Sequence, residues 1–146
     1  MISGLSANCS KARWLLAVAA LAAPAACAPH DIARASCTNT LASVHDEWTC
    51  TVKADLVGRS SSIEFDTESR NQVAQVSIAL RVTKGALRVR YSDLSGSQQV
   101  VVTPSEPLSF DMKTKMHPQR RSFTMYFEPV NGQAEGLAGT VKYSTP

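Results

Sequence analysis

From residue 48 onward, apolar and polar residues alternate one for one along most of this chain. Trp48, Cys50, Val52, Ala54 and Leu56 fall on one side of an extended segment, with Thr49, Thr51, Lys53 and Asp55 on the other. A period of two with one apolar side is the pattern of a half-buried strand. Residues 58–62 are polar and begin with Gly58, so they read as a turn, and Ile63, Glu64, Phe65 and Asp66 form a short strand after it. Residues 68–72 read as a loop. Next, Val76, Ile78, Leu80 and Val82 alternate with Ser77, Ala79, Arg81 and Thr83; then, past Lys84-Gly85, Leu87, Val89 and Tyr91 alternate with Arg88, Arg90 and Ser92. That arrangement predicts a hairpin with a two-residue loop at Lys84-Gly85, pairing Val82 with Leu87, Leu80 with Val89 and Ile78 with Tyr91. Gly85 supplies the positive backbone angle that such a loop needs.

The same alternation continues to the end. A turn at residues 93–97 leads into a strand over 98–103, which Pro104 ends, and Pro104 and Pro107 mark a corner. Leu108, Phe110 and Met112 make a strand, residues 115–121 a basic loop, and Phe123, Met125 and Phe127 another strand. Pro129-Val130-Asn131-Gly132 reads as a turn before a last strand through Leu137, Gly139, Val141 and Tyr143. Seven to eight short strands with frequent turn signals and no long amphipathic helix predict an all-β fold, an antiparallel β-sandwich of the jelly-roll or immunoglobulin-like kind.

The beginning of the chain follows a different rule. Lys11 and Arg13 precede an uncharged Leu/Ala/Val run over residues 14–23, and small residues follow. This is the layout of a secretory signal peptide. The run is too short to span a bilayer, which takes about 20 apolar residues in a helix. Its end, Ala25-Ala26-Cys27, resembles a bacterial lipobox, with Pro24 where that family usually has an aliphatic residue. The resemblance implies a cut before Cys27 and acylation of that cysteine. With two membranes present, Ala28 after it resembles lipoproteins sorted to the outer membrane. Ala23-Pro24-Ala25 also fits an ordinary cut after Ala25, which would leave a soluble periplasmic or secreted protein. The expected organisation is therefore a signal peptide over 1–26, a tether over 27–44 and a β-sandwich over 45–146.

Cysteine parity bears on the choice. Of the four cysteines, Cys9 leaves with the leader, so Cys27, Cys37 and Cys50 remain. Acylation of Cys27 leaves Cys37 and Cys50 as one pair in an oxidising compartment, and a disulfide is expected between them. No Cys-x-x-Cys or His-x-x-x-His spacing suggests a zinc site, and no metal or other cofactor is expected.

Charge changes the picture once the leader is removed. The whole sequence has 15 Lys and Arg against 12 Asp and Glu; without Lys11 and Arg13 the balance is 13 against 12, or +1. No global charge argument for nucleic acid survives. The three histidines are His30 in the tether, His45 before the first strand and His117 in the basic loop. His45-Asp46-Glu47 is the one local titratable cluster that could suggest acid-base chemistry, and a solvated approach to the Trp48 strand explains it as well. No Gly-x-Ser-x-Gly or phosphate-binding glycine loop occurs. No catalytic residue is assigned.

The hairpin would place Arg81 opposite Arg88, with Arg90 two residues along and Lys84 at the tip. Like charges facing across a strand pair cost some tenths of a kcal/mol, so Arg81, Lys84, Arg88 and Arg90 are a candidate patch for an anionic partner, with Arg120-Arg121 a possible extension. A solvated edge protected from aggregation is the alternative. Together these features predict a non-catalytic binding or structural module of the cell envelope, held to the membrane through a lipid on Cys27, with an envelope protein or an anionic ligand as partner. A freely secreted carbohydrate-binding or inhibitor domain is the other reading, and a hydrolase of unrecognised type the third.

Overall fold

The computed structural model describes residues 32–40 and 46–146. The expected signal peptide over 1–26, Cys27, His30 and His45 lie outside them. Within them the alternation yields eight strands: β1 Arg34–Asn39, β2 Asp46–Val57, β3 Ser61–Asp66, β4 Val73–Arg81, β5 Lys84–Asp93, β6 Gly96–Val102, β7 Leu108–Lys115 and β8 Ser122–Thr145. All pair antiparallel.

β8 organises the pairing because it belongs to two layers. Its first half pairs with β3 through residues 122–127 and with β5 through residues 126–130, and β6 lies beyond β5. Its second half pairs with β2 and β4, with β1 and β7 at the edges, in the order β1-β2-β8-β4-β7. Asn131 (φ 58°) and Gly132 (φ 117°) turn the strand from one layer into the other. The expected turn at residues 129–132 is therefore a corner inside one 24-residue strand. The chain does not double back there, because each half finds different neighbours.

The layers bury their apolar sides against each other. Phe65, Phe127, Ile78, Leu87, Met125, Val52 and Val141 are among the fully buried side chains, each worth about 1.5–3 kcal/mol relative to exposure. Ring contacts cross between layers: Tyr91 of β5 meets Phe110 of β7 at 5.0 Å, and Tyr143 meets Phe123 edge-on at 5.2 Å. The buried Tyr143 hydroxyl donates to the Asp66 carbonyl at 2.5 Å, which satisfies it inside the core.

The predicted hairpin of Val76–Val82 with Leu87–Tyr91 does not form. β4 pairs with β7 and β8, β5 pairs with β6 and β8, and the two sit in opposite layers. Alternation identifies the buried side of a strand and leaves its neighbour open. Ile78, Leu80, Val82, Leu87 and Val89 are all buried, and they meet across the core rather than side by side. Gly85 does have positive φ (77°), and it also lets β5 approach β8, where a Cβ would overlap the Gln133 carbonyl oxygen.

Part of the expected tether over 27–44 is a strand instead. Arg34–Asn39 is a strand, paired residue for residue with β2, and it places Cys37 directly opposite Cys50. The two are joined in a disulfide, as parity suggested.

Candidate functional site

The four cations of the expected patch are scattered by the real pairing. Arg88 lies opposite Glu128 of β8 and forms an ion pair with it at 3.3 Å. Lys84 pairs with Glu135 at 3.2 Å. Arg90 stacks its guanidinium over Tyr126, 5.4 Å from the ring centroid. These pairs lie at the surface, where each contributes about 0–1 kcal/mol. Arg81 is on the other layer, opposite Ala138. The premise that Arg81 faces Arg88 is thus corrected: they are outward-facing residues of different layers. Arg120 lies 3.6 Å from Glu64, and Arg121 donates to the Glu68 carbonyl. Both belong to the loop before β8, at the opposite end of the sandwich from Arg81.

The candidate acid-base cluster resolves into a structural joint. Asp46 Oδ1 accepts from Trp48 Nε1 at 2.8 Å and from Asn39 Nδ2 at 3.0 Å. Its Oδ2 accepts from the backbone N–H groups of Glu68 and Ser69 at 3.1 and 3.3 Å. Burial alone would raise its pKa, but the neighbouring Thr67 hydroxyl and the hydrogen bonds from Trp48, Ser69 and Asn39 outweigh burial and hold the carboxyl below the usual carboxylate range. This carboxylate ties β1 and the β3–β4 loop to the start of β2. Tyr143 is shifted the other way, upward, by burial first and by Asp66 and Asp46 next. His117 Nδ1 accepts from the Arg120 backbone N–H at 3.2 Å, within its own turn. Among the described residues, no three His, Cys, Asp or Glu side chains are grouped to hold a metal ion.

The concave features lie instead on the outside of the five-stranded layer. One depression, about 250 Å³, sits between Thr40, Glu47, Gln75 and Lys142. A second, about 480 Å³, has an apolar floor made by Ala79, Leu108, Ala138 and Gly139, with Lys53 and Arg81 at its rim. The floor is low because its outward side chains are the small Ala79 and Ala138; Gly139, opposite the buried Val52 and Leu80, faces the core. A Cβ there would overlap the Ala79 carbonyl oxygen and stand 2.8 Å from Leu80 Cα.

Around this second depression the pairing builds a row that no stretch of sequence displays. Arg34 is opposite Lys53, Lys53 is opposite Ala138, and Ala138 is opposite Arg81. Residues directly opposite in a sheet point to the same side, so Arg34, Lys53 and Arg81 all project outward across β1, β2, β8 and β4. Strand spacing puts Lys53 about 5 Å from Arg34 and about 10 Å from Arg81 along the row. All three are exposed, and none forms an ion pair with another described residue. Asp55, two residues beyond Lys53, is the acidic neighbour on the same side of β2. Sequence reasoning found Arg81 and missed Arg34 and Lys53. Their only signal is register, which needs the partner strands.

The opposite layer carries one smaller feature, about 230 Å³, where Ser60, Ser61 and Ser62 border Tyr126 and Arg90. Tyr126 is 46% exposed.

No family model and no curated sequence matches this chain. Among solved structures, similarity extends to the PRD1 vertex protein P5 (9% identity, 77% of this chain and 95% of that one, TM-score 0.45). The disulfide-linked pili of Bacillus endospore appendages give 14% identity over 77% of this chain and 90% of that one, TM-score 0.42. The CBM22-1 xylan-binding domain of Xyn10C from Paenibacillus barcinonensis gives 15%, 76%, 80% and 0.38. Likeness at this level carries no information about ligand or role.

Proposed function

We propose that the chain is an exported protein of the bacterial cell envelope, anchored through a lipid on Cys27, whose β-sandwich binds or supports a partner without catalysis. The observation that supports the non-catalytic part is the state of Asp46, the central carboxylate of the one titratable cluster that could suggest acid-base chemistry. Asp46 spends both oxygens on four donors of its own domain, so no lone pair is aimed at a bound substrate. The depressions on the five-stranded layer are shallow and lined by side chains suited to contact rather than to proton transfer. The anchoring part is supported by the leader pattern ending at Cys27 and by the pairing of Cys37 with Cys50, which leaves Cys27 as the odd thiol.

Intact mass of the mature protein tests the anchor. Acylation adds several hundred daltons or more to a chain starting at Cys27. A chain starting at Ala26 with no adduct would overturn anchoring and leave a free periplasmic or secreted module. Incubation with broad panels of ester, glycoside and peptide substrates tests the other half, and turnover abolished by Asp46→Asn would overturn it.

A further inference from the structure

The row of cations and the chain that leads to it share one end of the molecule. Ala33 is buried and its N–H donates to Ser61 Oγ at 3.3 Å, so the polypeptide is fastened to the domain there. Arg34 is the next residue, and Lys53 faces it across the strand pair. Ala33 lies six positions after Cys27, a span of six Cα–Cα steps. At full extension they reach only about 20 Å. An acyl group on Cys27 would therefore hold this end of the sandwich against the bilayer, with the outer side of the five-stranded layer beside the headgroups.

The row has the chemistry for that neighbour. Arg34 and Lys53 are like charges directly opposite each other, a pairing that an anion between them would relieve. Arg81 continues the row across the apolar floor formed by Ala138, Gly139 and Leu108. The remaining cations on β5 are already engaged, Lys84 and Arg88 by glutamates and Arg90 by Tyr126. We infer that Arg34, Lys53 and Arg81 form a membrane-docking surface for anionic phospholipid headgroups, and that it sets how the anchored domain lies on the bilayer. The inference rests on the proposed anchoring at Cys27, since the short leash is what brings the row to the membrane.

The test uses the full chain with Cys27→Ser, so that no acyl group contributes to binding, and vesicles of phosphatidylcholine with or without phosphatidylglycerol. Any contribution from residues before Cys27 is common to all variants. Each cation near an anionic surface is worth about a fivefold change in partitioning. The triple variant Arg34→Gln/Lys53→Gln/Arg81→Gln is therefore expected to lose about a hundredfold in affinity for the phosphatidylglycerol vesicles. A control triple at the other end, Arg70→Gln/Lys113→Gln/Lys115→Gln, removes the same charge and should lose less than tenfold. Lys53→Gln alone should lose about fivefold, and it serves if the triple variant unfolds. Equal losses for the two triples, or no preference of the Cys27→Ser chain for phosphatidylglycerol, would overturn the surface. Intact mass of the unmodified protein reports separately on the anchor: acylated protein whose domain lacks this preference refutes the docking surface alone.

Discussion

Replacing Asp46 by Asn tests the carboxylate joint with almost no change in size. The carboxylate now accepts four hydrogen bonds, two on each oxygen. An amide keeps one acceptor oxygen and turns an NH2 toward the other two donors. If the oxygen stays with Trp48 and Asn39, the N–H groups of Glu68 and Ser69 lose their acceptor. Hydrogen bonds to a charged group contribute about 1.5–3 kcal/mol each when sheltered. Water reaches this half-buried site and recovers part of that, so about 1–2 kcal/mol in total is expected. The pH dependence is the sharper signature. Asp46 is held below its usual range in the folded state, so the unfolded chain takes up its proton first as pH falls. The stabilisation is complete above the unfolded value of about 3.9 and is lost as pH drops through the folded value. Urea unfolding of both proteins at pH 7 and at pH 2.5, followed by circular dichroism, measures the gap. It should be largest at pH 7 and should narrow in acid. Equal midpoints at pH 7, or a gap of unchanged size at both pH values, would refute the reasoning.

Other outcomes follow from the packing. Reducing the Cys37–Cys50 bond, with 13 residues of sequence separation, should cost about 3 kcal/mol by chain entropy, read as a lower urea midpoint with reductant present. Phe127→Ala empties a fully buried position of β8 and should cost about 3–5 kcal/mol in equilibrium unfolding. Gly139→Ala forces a methyl against the backbone of β4 and should destabilise by about 1–3 kcal/mol in the same assay. Glu128→Gln removes an ion pair whose two side chains are each 35% exposed, and the thermal midpoint should shift by an amount corresponding to less than about 1 kcal/mol.

The sequence exposes which side of each strand is buried, and it does so well. Val76, Ile78, Leu80, Leu87, Val89, Phe123, Met125 and Phe127 were all legible from a period of two, and all lie in the core. What it hides is adjacency. The Lys84-Gly85 signal looked like a tight reversal, yet Thr83 instead donates its N–H to the Glu135 carbonyl at 2.9 Å, and the chain passes to the other layer. A positive-φ glycine is equally necessary in both cases, so the residue type does not separate them. The cation row was illegible for the same reason. Arg34, Lys53 and Arg81 are separated by 19 and 28 positions, and only the pairing through Ala138 brings them into line. The disulfide was readable because counting cysteines requires no register at all.

The strand shared by both layers follows all of its partners along the sequence. Before residue 122 emerges, the chain can assemble only the pairs β1–β2, β4–β7 and β5–β6, and β3 has no partner. Only residues 122–145 join these ribbons and β3 to one another, so the sandwich closes once β8 is in place.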